Sequence, residues 1–110
     1  MAPAKTTLLQ GTLDLIVLQL LRAEPTNGYD LMLRIQAISK DVLHVNAGSL
    51  YPALYRLEEQ GWIRAEWAST ESGRKAKVYS VTAAGRKHLA DERATWERFS
   101  GALTAILGTG

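Results

Sequence analysis

A helix pattern, a strand pattern, a basic polar turn and a second strand pattern follow one another without a gap from Ser49 to Val81. Apolar residues at helical spacing run from Ser49 to Gln60 and stop at Gly61. Period-2 alternation takes over from Trp62 to Ala68. A polar connection over residues 69–75 contains Gly73, and Arg74, Lys75 and Lys77 make it basic. The returning strand covers Ala76 to Val81. A winged helix needs this order. In that fold the helix enters the major groove of DNA while the basic turn reaches a neighbouring row of phosphates. The pattern therefore points to DNA binding rather than catalysis.

A chain of 110 residues fits one domain, and 46% apolar residues are enough for one core. The net charge of +2 and the pI of about 9.1 are only mildly basic, so total charge does not establish a nucleic-acid partner. Its distribution says more. Lys and Arg recur at 74, 75, 77, 86, 87 and 93, whereas Glu58 and Glu59 stand apart before Gly61. The lack of cysteine excludes disulfides and thiolate metal sites, and fits a reducing compartment. No run of about 18 apolar residues is present, and the first residues lack the pattern of a secretory leader. The expected location is the cytoplasm, with no membrane partner.

Upstream, Thr7 to Glu24 carries leucine, isoleucine or valine around nearly its whole circumference. Such a helix must be buried on more than one side, one against its own core and another against a partner subunit. Pro25 ends it, and Thr26-Asn27-Gly28 reads as a turn. A second helix is expected from Gly28 to Ser39, capped by Asn27, with Leu31, Ile35 and Ile38 in one stripe. Lys40 to Asn46 connects it to the third, with Val42, Leu43 and Val45 extended against the core. In the third helix Leu50, Ala53, Leu54 and Leu57 share a face, opposite Pro52, Tyr55, Arg56 and Glu59. If Ser49 caps this helix, Pro52 falls in the first turn, where its missing N–H costs little; if Asn46 caps it, Pro52 interrupts the helix. The first alternative is preferred.

Within the two strands, Ile63, Ala65 and Trp67 share a side, as do Tyr79 and Val81. Thr82 is a good cap for a last helix that continues toward Leu107. Its Leu89, Trp96, Phe99, Leu103, Ile106 and Leu107 approximate a heptad seam. A helix of about 25 residues is about 38 Å long, more than one small core covers. A partner helix is therefore expected, giving a homodimer held by that seam with help from Leu8 of the first helix. The expected fold class is mainly α with a small β-hairpin (α+β). A winged helix-turn-helix DNA-binding domain spans residues 1–82, and a C-terminal dimerisation helix spans residues 83–110, as one compact unit.

Five segments together carry a specific resemblance. They are Gly28-Tyr29-Asp30-Leu31, Gly48-Ser49-Leu50-Tyr51-Pro52-Ala53-Leu54, Leu57-Glu58-Glu59-Gln60-Gly61-Trp62-Ile63, Gly73-Arg74-Lys75-Ala76-Lys77-Val78-Tyr79 and Thr82-Ala83-Ala84-Gly85-Arg86. In this order and spacing the chain resembles, over nearly all its length, the PadR family of bacterial winged-helix transcription regulators. The single C-terminal helix looks like the short subgroup. The resemblance implies a homodimer that binds a palindromic operator and represses transcription, often until a small molecule binds. Members of this compact build can hold flat aromatic ligands at the dimer interface.

The candidate contacts to double-stranded DNA are Ser49, Tyr51, Pro52, Tyr55 and Arg56 on the third helix and Arg74, Lys75 and Lys77 on the wing. An arginine can pair bidentately with guanine, and hydroxyls near a helix start reach phosphate oxygens. The blander alternatives are a solvated helix face and an ordinary charged hairpin tip. Trp96 and Phe99 either pack in the dimer or also face a hydrophobic, aromatic effector. His44 and His88 lie far apart and assemble no metal site, with His88 expected at the surface. The carboxylates form no acid–base pair, and Gly48-Ser49 lacks the setting of a nucleophile elbow, so neither an enzyme nor a cofactor is expected. The competing non-catalytic function is a winged-helix protein-interaction module that does not bind DNA; the basic wing favours DNA.

Overall fold

The computed structural model describes residues 2–69 and 71–109, with side chains from residue 11 onward. Among these residues, four helices and the strands of a small antiparallel sheet follow one another. They are α1 (Ala2–Ala23), β1 (Thr26–Asn27), α2 (Gly28–Ile38), α3 (Ala47–Glu59), β2 (Ile63–Ser69), β3 (Lys75–Val81) and α4 (Ala83–Gly108). The strand order is β1-β3-β2. β2 and β3 pair from Ile63↔Val81 out to Ser69↔Lys75 and form the wing. No helix among the described residues is long and apolar enough to cross a membrane.

One apolar core joins α1, α2, α3, the base of the wing and the start of α4. Val17 and Leu18 of α1, Leu31 and Ile35 of α2, and Leu50, Ala53, Leu54 and Leu57 of α3 are all buried there. Ile63, Tyr79 and Val81 close it from the sheet. The other side of α1 is covered only in part. Leu15, Ile16 and Leu20 pack only partly against the core and leave a face toward solvent. Leu8, expected to help dimerisation, lies outside the residues whose side chains are described.

The caps at Asn27 and Thr82 form as the sequence predicts. The Asn27 side chain accepts the Asp30 N–H at 2.8 Å, and the Thr82 hydroxyl accepts the Gly85 N–H at 3.0 Å. The start of α3 does not. Asn46 is the cap, its Oδ1 accepting the Ser49 N–H at 2.9 Å, and α3 begins at Ala47. Pro52 therefore sits inside the helix and offers no N–H to the Gly48 carbonyl. Gly48 is exposed, so water can satisfy that carbonyl.

Other expectations are corrected by the packing. Thr26-Asn27 is a short strand rather than a turn, pairing Thr26↔Tyr79 and Asn27↔Val78 along the otherwise free edge of β3. Its hydrogen bonds fix Thr26, whose hydroxyl donates to the Glu24 carbonyl at 3.1 Å and accepts from Arg34 at 3.1 Å. Ile38 and Val42 are exposed rather than packed in the core, and only Val45 of the connector packs against it. Leu89 does not belong to a dimer seam: at 1% exposure it lies in the chain's own core. His88 is not a plain surface residue. Its ring stacks on Trp62 with centroids 3.5 Å apart and planes 10° from parallel, and it faces Glu92 at 3.8 Å.

The junction between wing and α4 depends on close approach. The Trp62 carbonyl accepts the Thr82 N–H at 3.0 Å, and the Thr82 hydroxyl donates to the Gly61 carbonyl at 2.7 Å. A Cβ on buried Gly85 would collide with that same Trp62 carbonyl. Gly61 turns the chain from α3 into β2 with φ of 78°, a left-handed value that favours glycine.

Candidate nucleic-acid interface

Burying Leu50, Ala53, Leu54 and Leu57 fixes which side of α3 faces outward. Ser49, Tyr51, Pro52, Tyr55 and Glu59 are exposed on it. Tyr51 lies across the start of α2, its phenol so close to Gly28 that a Cβ there would stand 2.6 Å from the hydroxyl. The Glu59 carboxylate one turn on from Tyr55 raises the phenol above its usual pKa, first as a hydrogen-bond acceptor and then by its charge.

Arg56 is drawn to the edge of this face. Its Nη2 donates to Asp14 of α1 at 2.9 Å, and both side chains are about one-third exposed. Burial lifts the Asp14 carboxyl above its ordinary pKa, outweighing the lowering by Arg56 and, to a lesser degree, by His88. Arg56 thus ties α3 to α1, and reading a base would require it to leave Asp14.

The wing's cations also divide. Arg74 and Lys75 are exposed, and neither enters an ion pair among the described residues. Lys77 is half-buried, 3.9 Å from Glu58 of α3 and 5.7 Å above the Tyr79 ring. Burial raises the Tyr79 phenol's pKa, with Glu58 and Tyr51 adding to the shift. Gly73 makes the turn back from the tip with φ of 84°.

A cleft of about 530 Å³ lies between the starts of α2 and α3 and the inner face of the wing. Tyr29, Tyr51, Trp67, Lys75, Lys77 and Tyr79 are among its walls. It brings together Tyr51 of α3 and Lys75 and Lys77 of the wing, all expected from sequence. Ser49, Pro52, Tyr55, Arg56 and Arg74 stand outside it. Tyr29 and Trp67 belong to it as well, and sequence reasoning does not single them out. The alternation correctly puts Trp67 on the side of Ile63 and Ala65, but that side runs past the core's edge before it reaches Trp67.

Trp96 and Phe99 project from α4 with ring centroids 5.8 Å apart. Two shallow apolar grooves meet at Trp96 and Leu15. One, of about 410 Å³, runs along α1 and α2 past Ile16, Leu20, Ile35 and Ile38. The other, of about 340 Å³, runs past Gly11, Thr12 and Phe99. Beyond them Leu103, Ile106 and Leu107 are exposed along α4. Among the described residues no group of three carboxylates or histidines could hold a metal ion.

The fold is similar to that of known proteins. A PadR family transcriptional regulator from Eggerthella lenta superimposes with a TM-score of 0.76 at 31% identity, covering 99% of this chain and 94% of its own. A PadR-like transcription factor from Bacteroides fragilis gives a TM-score of 0.78 at 27% identity, covering 94% and 98%. A transcriptional regulator of Mycobacterium tuberculosis is 37% identical over 65 residues, 59% of this chain and 60% of its own. The model of the PadR-like transcriptional regulator family matches residues 17–91. The chain has the winged-helix fold and belongs to the PadR-like family of transcriptional regulators, which are not enzymes.

Proposed function

We propose that the chain is a cytoplasmic repressor that binds a palindromic operator as a homodimer. The observation that carries the DNA-binding part is the cleft. Tyr51 of α3 and Lys75 of the wing border one open space that no carboxylate lines. A helix in the major groove and a wing on the adjacent backbone require that juxtaposition. Residues 1–82 would form the DNA-binding unit and residues 83–110 the dimerisation helix. The dimer reading is supported by the run of Trp96, Phe99, Leu103, Ile106 and Leu107, an apolar stripe along α4 that the chain's own elements leave exposed in large part.

The two grooves meeting at Trp96 support a further element of the same reading. A hydrophobic, aromatic molecule held there would lie between dimer helices. It would relieve repression by favouring a dimer whose recognition helices no longer match the roughly 34 Å between successive major grooves. It can do so only through its differential affinity for the two forms.

The test is a titration of duplexes tiling the DNA upstream of the protein's own gene, read by fluorescence anisotropy at several salt concentrations. The expected result is tight, salt-sensitive binding to a duplex holding an inverted repeat and weaker binding to its scrambled version. Equal, salt-insensitive affinity for all duplexes would reject DNA recognition. A flat aromatic cation that quenches Trp96 yet leaves operator affinity unchanged would reject the effector.

A further inference from the structure

Trp67 is more exposed than any other large aromatic side chain among the described residues, at 68%. It does not stand alone: Tyr29, Tyr51 and Tyr79 border the same cleft, and a contiguous aromatic surface of this kind marks an interaction site. The residues that line the grooves at Trp96 do not border the cleft at Trp67, so a partner covering that seam gives no account of it. Trp67 is opposite Lys77 in the β2–β3 register, and Lys75 follows two residues along on the same face. Across the cleft stand the exposed Tyr29 and Tyr51. The lining thus combines two ammonium groups, tyrosine hydroxyls and a bare indole, without a carboxylate. Lys77 is already held by Glu58 at 3.9 Å and by the Tyr79 ring, which leaves Lys75 as the cation free to meet an anion.

We propose that this cleft takes one sugar–phosphate segment of the duplex backbone, with Lys75 and the Tyr29 and Tyr51 hydroxyls on the phosphate and the Trp67 indole packed against the adjoining deoxyribose. The inference rests on the DNA-binding reading above and adds residues and a role to it. Charge complementarity selects a polyanion, since Lys75 and the tyrosine hydroxyls line the cleft and the acid nearest it, Glu58, is taken up by Lys77. The indole adds what a free phosphate would not use, an apolar face beside the anion site. Trp67 here is a positioning residue that fixes where the backbone lies relative to α3. It reads no base, so its contribution is the same for every sequence.

The two kinds of contact separate in a salt series. Removing a phosphate contact flattens the dependence of log affinity on log salt, by close to one unit for Lys75→Ala. Removing an apolar contact lowers affinity at every salt concentration and leaves the slope alone. For Trp67→Ala the expected loss is about tenfold, equal on inverted-repeat and scrambled duplexes. The chain has three tryptophans, so Trp62→Phe with Trp96→Phe isolates Trp67 emission. In that variant, duplex DNA should shift the emission and protect the indole from iodide. Should the double variant fold poorly, the Trp67→Ala titration in the otherwise native chain stands alone. Binding of the native chain to duplex with no effect of Trp67→Ala overturns this inference and leaves the DNA-binding reading intact. Tighter binding to a single strand than to the duplex overturns it too, because the indole would then be taking a base. No binding of the native chain to any duplex overturns both.

Discussion

Asp14 of α1 and Arg56 of α3 meet at 2.9 Å, linking the helix beside the exposed α4 seam to the helix expected to enter the major groove. The pair is 42 residues apart in sequence. Burial of Asp14 raises its pKa despite the guanidinium beside it. The native state therefore holds this proton more tightly than the unfolded chain does. Stability from this group is greatest below the ordinary carboxylate pKa, about 3.9, and declines as pH rises from there through the lifted folded value. Asp14→Asn should abolish that decline, seen as urea midpoints that no longer fall across this window. A midpoint that rises with pH in the native chain and flattens in Asp14→Asn would mean the ion pair outweighs burial.

Gly85→Ala should destabilise the fold by roughly 2–3 kcal/mol, because its Cβ would strike the Trp62 carbonyl, which backbone bonding holds in place. Gly101 on the same helix is exposed, and a Cβ there would meet nothing within 4 Å. Gly101→Ala should instead stabilise by about 0.5–1 kcal/mol. Thermal unfolding of both variants checks the contrast, and similar losses in the two would refute the close approach.

The wing cations are unequal. Changing Arg74 and Lys75 to Ala should lower the slope of log affinity against log salt by about two units, and adding Lys77→Ala should change it little further. Lys77 is neutralised locally by Glu58. A third full unit lost with Lys77 would show that it leaves Glu58 for a phosphate.

Leu103→Glu should turn a dimer into a monomer while leaving the fold intact. Leu103 is exposed in the single chain, so the charge is buried only if a partner covers it. Sedimentation velocity gives the masses, and circular dichroism checks the fold. A native chain that sediments as a monomer would remove the dimer altogether.

Most of the fold was legible because periodicity reports which residues share a face. The α3 stripe, the pairing of Ile63 and Ala65 with the buried side of the sheet, and the caps at Asn27 and Thr82 all follow from local pattern. What pattern does not report is where the core ends along a continuous stripe. Leu89 falls on the same side of α4 as Trp96 and Leu103, yet it is 1% exposed while they face solvent. Trp67 extends the stripe of Ile63 in the same way, beyond the core's edge. Asn46 and Ser49 are both good caps, and only the backbone reveals that Asn46 is used. Thr26-Asn27 is too short to alternate, so its partner on β3 alone identifies it as a strand. The pairs Asp14–Arg56 and Trp62–His88 are tertiary, and no local signal announces them. Of the candidate DNA contacts, the outer face of α3 and the wing tip do lie at the surface, but nothing local in the sequence shows that Arg56 and Lys77 are tethered by carboxylates of the chain itself.

In the proposed complex two copies of α3 read the same face of one duplex. The most direct measurement is operator affinity as base pairs are inserted between the two halves of the inverted repeat, with the stoichiometry of each complex read by sedimentation. The expected result is two chains per duplex, near-total loss of the tight complex when about five base pairs turn one half to the opposite face, and recovery limited only by the reach of the dimer near ten, one full turn. Affinity indifferent to the half-turn insertion, or one chain per duplex at saturation, would contradict it.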